Sequence, residues 1–391
     1  MQIDIYSIPI IVAKAYKRLI HKELPPPLHC RILRLLSDNR CLTTCAPEVG
    51  TERQDIWSQD ALAALKYLDS LWPDEGRSSI KKVSTGHNTR EFDLHIIVPV
   101  YNDENHILDC LNSIVGQTSD FKVLVTVVDD GSTDSTPGKL NEFVKKKNGT
   151  TVEVMSQHNS GHSGARNAGL KNLRGEYVMF VDSDDKLEDN AIQCMLMQAR
   201  KTDADIVGGG YRCINESGEV VSTYLPSGED QHGFPWGKVY RASLFEQVEF
   251  PLKYWFEDTV IGSVIVPLAK SISNVKCSVY RYLLNSNGIT SKSAGQPKVL
   301  DSIYITLRLL QDRDTLGIKM NQKYYDSLLY QIRMNQWRGG SLKNRRVDKA
   351  LFAISADLLS KYNYRTENKE LQLLEWALRK RSFAAYLMGC V

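Results

Sequence analysis

The 391-residue chain has no uninterrupted apolar run of about 18 or more residues, the length a helix needs to cross a bilayer. Its first residues also lack the basic, apolar and small-residue succession of a secretory signal, so a cytoplasmic protein is expected. Charge of one sign is scarce too. Lys and Arg number 49 against 46 Asp and Glu, a formal net charge of +3, which argues against a nucleic-acid binder recognised by overall electrostatics. Eight cysteines, at 30, 41, 45, 110, 194, 213, 277 and 390, show none of the close regular spacing of a disulfide scaffold, and reduced thiols are expected. Cys30, Cys41 and Cys45 with His29 fit no standard zinc spacing and read as packing residues. No G-x-G-x-x-G follows the first strand and no G-x-x-x-x-G-K-[ST] occurs, which disfavours dinucleotide oxidoreductases and P-loop enzymes.

What the chain does have is alternation. Leu94 to Val100 is an apolar run of the kind buried in a parallel sheet, and Glu104 to Val115 carries apolar residues along one helix face. The pattern recurs: Phe121 to Val128 reads as strand, Thr136 to Lys146 as helix, Thr151 to Ser156 as strand, Ser163 to Leu173 as helix and Glu176 to Val181 as strand. Short connections between such elements predict an α/β fold with a doubly wound, mostly parallel sheet and ligands at the carboxyl ends of its strands. Before it, residues 1–90 read as a helical accessory segment, with apolar Ile3 to Val12, a helix over Ala61 to Leu71 and a polar linker over 76–90. The α/β domain runs over 91–296. After it, 297–391 read as helical, with segments at Leu300 to Leu310, Tyr324 to Trp337, Lys349 to Leu359 and Glu370 to Leu378.

Three strands end in polar, turn-forming residues: Pro99-Val100-Tyr101-Asn102-Asp103, Asp129-Asp130-Gly131-Ser132-Thr133-Asp134 and Asp182-Ser183-Asp184-Asp185. A carboxylate beside a Gly-Ser-Thr turn can accept from a base N–H, or can cap the next helix. Three carboxylates within four residues repel one another unless a cation or hydrogen bonds compensate them. Hard ions such as Mg2+ or Mn2+ suit that cluster, taking one or two carboxylates plus substrate phosphates; a solvated turn is the alternative. Between these strand ends, Asn159 to Gly169 is rich in small residues, and its Arg166 can face a phosphate or hold an acidic loop.

Together with Phe234-Pro235-Trp236-Gly237-Lys238-Val239-Tyr240 and Phe256-Glu257-Asp258, these motifs resemble, in order, the inverting family-two glycosyltransferases of the GT-A fold, over roughly residues 93–290. The resemblance implies a UDP-sugar donor, Mn2+ or Mg2+, and a carbohydrate or lipid-linked glycan acceptor. It implies that Val100, Tyr101 and Asp130, with Asp129, surround uracil and ribose. Pro99, Asn102, Arg166, Asp182 and Ser183 complete the nucleotide-sugar site, Asp184 is the direct metal ligand and Asp258 is the catalytic base. Trp236, Lys238 and Glu257 are acceptor-side candidates, and Tyr254, Trp255 and Phe256 flank them. The family's processive members carry Q-x-x-R-W, which Gln336-Trp337-Arg338 does not fit, so single-sugar addition is expected.

Two other readings stand beside this one. A sugar-phosphate nucleotidyltransferase would share the core and metal but should carry a Gly-rich basic loop where this chain has Tyr101-Asn102-Asp103-Glu104. A catalytically silent scaffold would keep the fold without needing Asp182, Asp184 and Asp258. Residues 297–391 hold 17 Lys and Arg against 9 Asp and Glu, densest at Lys343-Asn344-Arg345-Arg346 and Arg379-Lys380-Arg381. That surplus reads either as a solvated helical face or as a peripheral contact with an anionic membrane.

Overall fold

The computed structural model describes residues 58–73, 76–80, 90–146, 150–228, 231–285 and 292–390. Ile3 to Val12 and the His29, Cys30, Cys41 and Cys45 group lie outside the described residues. Among the described residues two compact units emerge, one from those in 58–73, 293–306 and 319–390, the other from those within 76–292 and 307–318.

The second unit alternates as its hydrophobic pattern predicts. Its elements begin β1 (Phe92–Val100), α2 (Ile107–Val115), β2 (Val123–Asp129), α3 (Thr136–Lys146), β3 (Thr151–Ser156), α4 (Gly161–Lys171) and β4 (Gly175–Phe180). They continue with β5 (Lys186–Leu187), α5 (Ala191–Thr202), β6 (Ile206–Ile214), β7 (Val220–Tyr224), β8 (Lys238–Arg241) and β9 (Ile272–Leu283). Among the described residues these strands form one nine-stranded sheet in the order β3-β2-β1-β4-β8-β6-β9-β5, with β7 beside β6. β1 pairs in parallel with β2 on one side and β4 on the other, so the strand order reverses at β1 and opens a crevice at the carboxyl ends of β1 and β4. β8 runs antiparallel between β4 and β6.

Alternation along β1 sorts its side chains between the two faces. Leu94, Ile96 and Val98 bury against Leu111 and Ile114 of α2 and Ile192 and Met195 of α5. On the other face α4 lies close to Ile97: a Cβ at Gly169 would sit 2.6 Å from Ile97 Cγ2, so glycine is needed for that approach. The stretch 76–80, expected as linker, is anchored to this unit instead. Ile80 is buried, its carbonyl accepts from Glu249 N–H, and Ser79 Oγ donates to Asp312 Oδ2 at 2.7 Å.

The first unit is helical. Ser58 Oγ accepts from Ala61 N–H and caps α1 (Gln59–Leu71). Later come α6 (Asp301–Thr315), whose residues from 307 on belong to the second unit, α7 (Gln322–Gly340), α8 (Arg345–Ser360), α9 (Gln372–Arg379) and α10 (Phe383–Gly389). The last of these was not expected from sequence. α1, part of the accessory N-terminal segment read from the sequence, groups with the C-terminal helices: Asn344 Nδ2 donates to Tyr67 Oη at 3.2 Å and Trp72 Nε1 to Asp301 Oδ1 at 2.8 Å.

One polar pair lies wholly inside the sheet face covered by α4. His95 is fully buried; its Nδ1 accepts from Arg174 N–H at 3.3 Å and its Nε2 lies 2.7 Å from Thr126 Oγ1. With Nδ1 accepting, Nε2 carries the proton and donates to Thr126. Burial, and then the Arg174 charge, lower His95 to about 4 from its ordinary 6.5. The unfolded chain therefore binds a proton that the native state refuses between those two values, so stability falls as pH drops through that window. The His95 contribution at pH 5 should be about 2 kcal/mol less favourable than at pH 7. Urea midpoints at both pH values should show this extra loss in the wild type and not in His95→Gln.

Candidate active site

The carboxyl ends of β1, β2 and β4 converge through a network of loop hydrogen bonds. Asn102, in the left-handed region at φ 49, directs its N–H to Ser132 Oγ at 2.9 Å, and its Oδ1 accepts from Thr133 N–H at 2.7 Å. Asp103 then reaches the β4 end, where Ser183 Oγ donates to Asp103 Oδ2 at 2.6 Å. Pro99 and Val100 are buried within the strand, whereas Tyr101 is 48 % exposed and Asn102 is also open to solvent. The side chains this segment offers to solvent are therefore those of Tyr101 and Asn102 and not those of Pro99 and Val100.

Asp129 and Asp130 are both buried, with different partners. Asp129 Oδ1 accepts from Ser132 N–H at 3.0 Å and closes the turn. Asp130 takes Gln157 Nε2 and Ser160 N–H on Oδ1, at 2.7 and 2.8 Å, and Gly161 N–H on Oδ2 at 2.8 Å, so it caps α4 rather than the helix that follows it. A carboxylate has about four acceptor positions, and three are used here, which leaves one for an incoming N–H. Gly131, at φ 80, holds the turn in a conformation that glycine adopts freely.

Arg166 sits at the centre. Its guanidinium is buried, with Nη2 donating to Asp182 Oδ1 at 2.8 Å and Nη1 to Glu257 Oε1 at 2.7 Å. Burial opposes its charge, but Asp182 and Glu257 more than offset that, and its pKa rises above the ordinary value. Of the two roles open to Arg166, the structure shows it holding acidic groups. The next residue, Asn167, exchanges two 2.8 Å hydrogen bonds with the Phe250 backbone. One helix turn thus fixes both the start and the end of the segment that leads to Asp258.

That segment is strained before it delivers its carboxylates. Lys253 and Phe256 both adopt positive φ, 67 and 64, which costs a non-glycine residue energy and persists only where surroundings enforce it. Beyond Asp258 the chain winds as π-helix over Ile261–Ile265, an uncommon geometry that recurs at functional sites.

In the Asp-X-Asp turn, Asp182 N–H donates to Tyr280 Oη at 3.0 Å and Asp184 Oδ2 accepts from Asn285 Nδ2 at 3.2 Å. Burial, and then the Asp182 charge, push the Asp184 carboxyl up. Asp185 is buried, accepts from Leu283 N–H at 2.7 Å, and is pushed up further by burial and by Asp184 and Asp182. Among the described residues, no three His, Cys, Asp or Glu side chains form a ready-made metal cage. The donor set fits an ion held by one or two carboxylates and completed by ligand phosphates, a cation that would relieve the repulsion raising Asp184.

Two acceptor-side expectations are corrected. Trp236 is only 2 % exposed, stacked within an aromatic cluster on Phe234, Tyr280 and Tyr282 at centroid distances of 4.6, 4.6 and 5.1 Å, so it packs the core instead of meeting a sugar. Lys238 is fully buried, its Nζ donating to Phe234 O at 2.8 Å and lying 2.7 Å from His232 Nδ1. Burial pushes the Lys238 ammonium well down and, with Lys238, lowers His232 to about 2. It is neither a solvated lysine nor an exposed phosphate ligand. Sequence reasoning missed Asp103, Asn167 and Tyr280; only the Tyr101-Asn102-Asp103 run and the Asn167 within the small-residue segment gave a signal.

Residues 95–247 match the family model described as Glycosyl transferase family 2. Over that stretch the chain resembles the family 2 glycosyltransferases. It is 33 % identical over 219 residues to Glycosyltransferase GlyA of Streptococcus pneumoniae, covering 50 % of this chain and 31 % of that protein. It is 34 % identical over 210 residues to the Poly(ribitol-phosphate) beta-glucosyltransferase of Bacillus spizizenii, covering 50 % of this chain and 33 % of that protein. The match thus spans about a third of each relative. The crystal structure of S. aureus TarS 1-349 in complex with UDP superposes with a TM-score of 0.55 at 21 % identity, covering 75 % of this chain and 89 % of that one, a likeness that establishes the GT-A fold. Glu257 and Asp258 lie past the end of the family match, and the Arg166–Glu257 ion pair ties them to it.

Arg166 also generates a stability prediction. Removing one member of a largely buried ion pair leaves its partners uncompensated; with Asp182 and Glu257 about one-fifth exposed, Arg166→Met should cost about 3 kcal/mol. Urea unfolding should show Glu257→Gln recovering part of that loss in the Arg166→Met background, because it removes one stranded charge.

Proposed function

We propose that this domain transfers a single hexose or N-acetylhexosamine from a UDP-sugar to a glycan or lipid-linked glycan, with inversion at the anomeric carbon, in polysaccharide or glycoconjugate synthesis. The observation that carries the reading is the Arg166 clasp, which joins the Asp-X-Asp turn to the loop bearing Asp258. The UDP in the TarS complex and the glucosyl transfer in the name of the Bacillus relative support the donor class.

In this reading Tyr101, Asn102 and the remaining acceptor position of Asp130 bind the nucleoside. Asp184, with Asp182 beside it, would hold Mn2+ or Mg2+, which when bound compensates the negative charge of the departing diphosphate. The acceptor hydroxyl has a high pKa and must lose its proton as it attacks, and Asp258 takes that proton. Glu257 is committed to Arg166 and orients the loop.

Asp258→Asn keeps the shape and removes the proton acceptor, so transfer should fall by about 10²- to 10⁴-fold while UDP binding survives. Asp184→Ala should abolish transfer in a folded protein, and excess EDTA should do the same to the wild type. Both are read by nucleotide release from a panel of UDP- and TDP-sugars with candidate acceptors. Near wild-type transfer by Asp258→Asn would move the base elsewhere, and full activity in EDTA would remove the metal.

The surface of the first unit extends the reading to where the acceptor is built. Trp337, 65 % exposed on α7, precedes exposed Lys343, Arg345 and Arg346 at the turn into α8, a pairing of aromatic anchor and basic charge suited to an anionic lipid surface. Protein should co-sediment with phosphatidylglycerol vesicles at low salt, and Arg345→Glu with Arg346→Glu should release it. Equal binding to neutral vesicles would refute the electrostatic contact.

A further inference from the structure

Cys194 and Cys277 are separated by 83 residues in sequence, yet their Sγ atoms stand 3.6 Å apart. Cys194 lies on α5, the helix after the Asp-X-Asp turn, and Cys277 is exposed on β9. A bulge in β9 brings Cys277 there: from Gly208↔Asn274 to Gly210↔Ser278, β6 advances two residues while β9 advances four. One helical turn further along α5, Gln198 Nε2 donates to Ser273 Oγ at 2.7 Å, so helix and strand are tied at a second point. The sulfurs are neighbours because two packed elements hold them so.

We propose that Cys194 and Cys277 form a dithiol modification site, which a small organic disulfide closes to an α5–β9 disulfide. The Cys277 thiolate attacks one sulfur of the oxidant and expels a thiolate. The Cys194 thiolate then attacks the Cys277 sulfur of the mixed disulfide and expels the second. The two cysteine protons end on two small thiols, and two electrons pass from the protein to the oxidant. A disulfide needs the sulfurs about 2.05 Å apart, a closure of roughly 1.5 Å from the present separation. Burial and the neighbouring Cys194 raise the Cys277 thiol to about 11, so little thiolate exists at neutral pH and closure should quicken by about tenfold per pH unit. The bond would sit three residues before Tyr280, whose hydroxyl accepts from Asp182 N–H.

The test uses the full chain, reduced and then treated with oxidised glutathione between pH 7 and 9, followed by peptide mapping and thermal unfolding. The expected product is a Cys194–Cys277 disulfide lacking two hydrogens, formed faster at higher pH. Its Tm should be higher, dithiothreitol should reverse the gain, and the gain should be absent in Cys194→Ser and in Cys277→Ser. A stable glutathione adduct on Cys277 of the wild type would overturn the proposal. So would both thiols remaining open to alkylation after treatment. None of these readouts depends on sugar transfer.

Discussion

A guanidinium buried beneath the carboxyl ends of β1 and β4 is the constraint around which the candidate site is arranged. Taking such a charge out of water costs several kcal/mol unless anions and hydrogen bonds replace the solvent. Arg166 obtains them from Asp182 at the end of β4 and from Glu257 on a loop 91 residues further along the chain. Three elements are thereby fixed relative to one another: α4, the Asp-X-Asp turn and the loop carrying Asp258. Gly169, three residues on, sets how closely α4 approaches β1, and so helps set the depth of Arg166. Asn167 clamps the other end of the same loop at Phe250, and the positive φ values of Lys253 and Phe256 are tolerated between these two anchors.

The polar ends of β1, β2 and β4 were legible because a buried parallel strand is nearly all apolar, so the residues at which polarity returns stand out. Asp130 was found this way, and Arg166 from the small-residue run Asn159 to Gly169, although their immediate partners were not. Asp130 caps α4, some 30 residues ahead, and no local pattern distinguishes that from capping the next helix. Lys238 shows the limit more sharply. Its neighbours in sequence are compatible with either surface or interior, and only the fold brings Phe234 O and His232 to its ammonium. Trp236 belongs to the core because Tyr280 and Tyr282, on a strand more than 30 residues away, supply its stacking partners. The strands β6, β8 and β9 escaped notice because they complete the sheet out of chain order, and three successive glycines, Gly208 to Gly210, weaken the hydrophobic signature of β6.

Charge placement gives the site a division of labour. Asp185 is buried, raised and bonded to the Leu283 backbone, which makes it a structural member of the turn. Glu257 is neutralised by Arg166. Asp184 combines a raised carboxyl with a 3.2 Å contact from the Asn285 amide. It is the carboxylate to which the proposed function assigns the cation, with Asp258, next to the clasped Glu257, as the proposed base.

The proposed reaction is a single displacement in which the acceptor oxygen replaces the diphosphate from the opposite face, and the configuration of the product reports on that directly. Proton NMR of the sugar released or transferred from an α-linked UDP-sugar, recorded before mutarotation, should show the β anomer as the first product. An α anomer formed first would contradict a single inverting displacement and, with it, the role assigned here to Asp258.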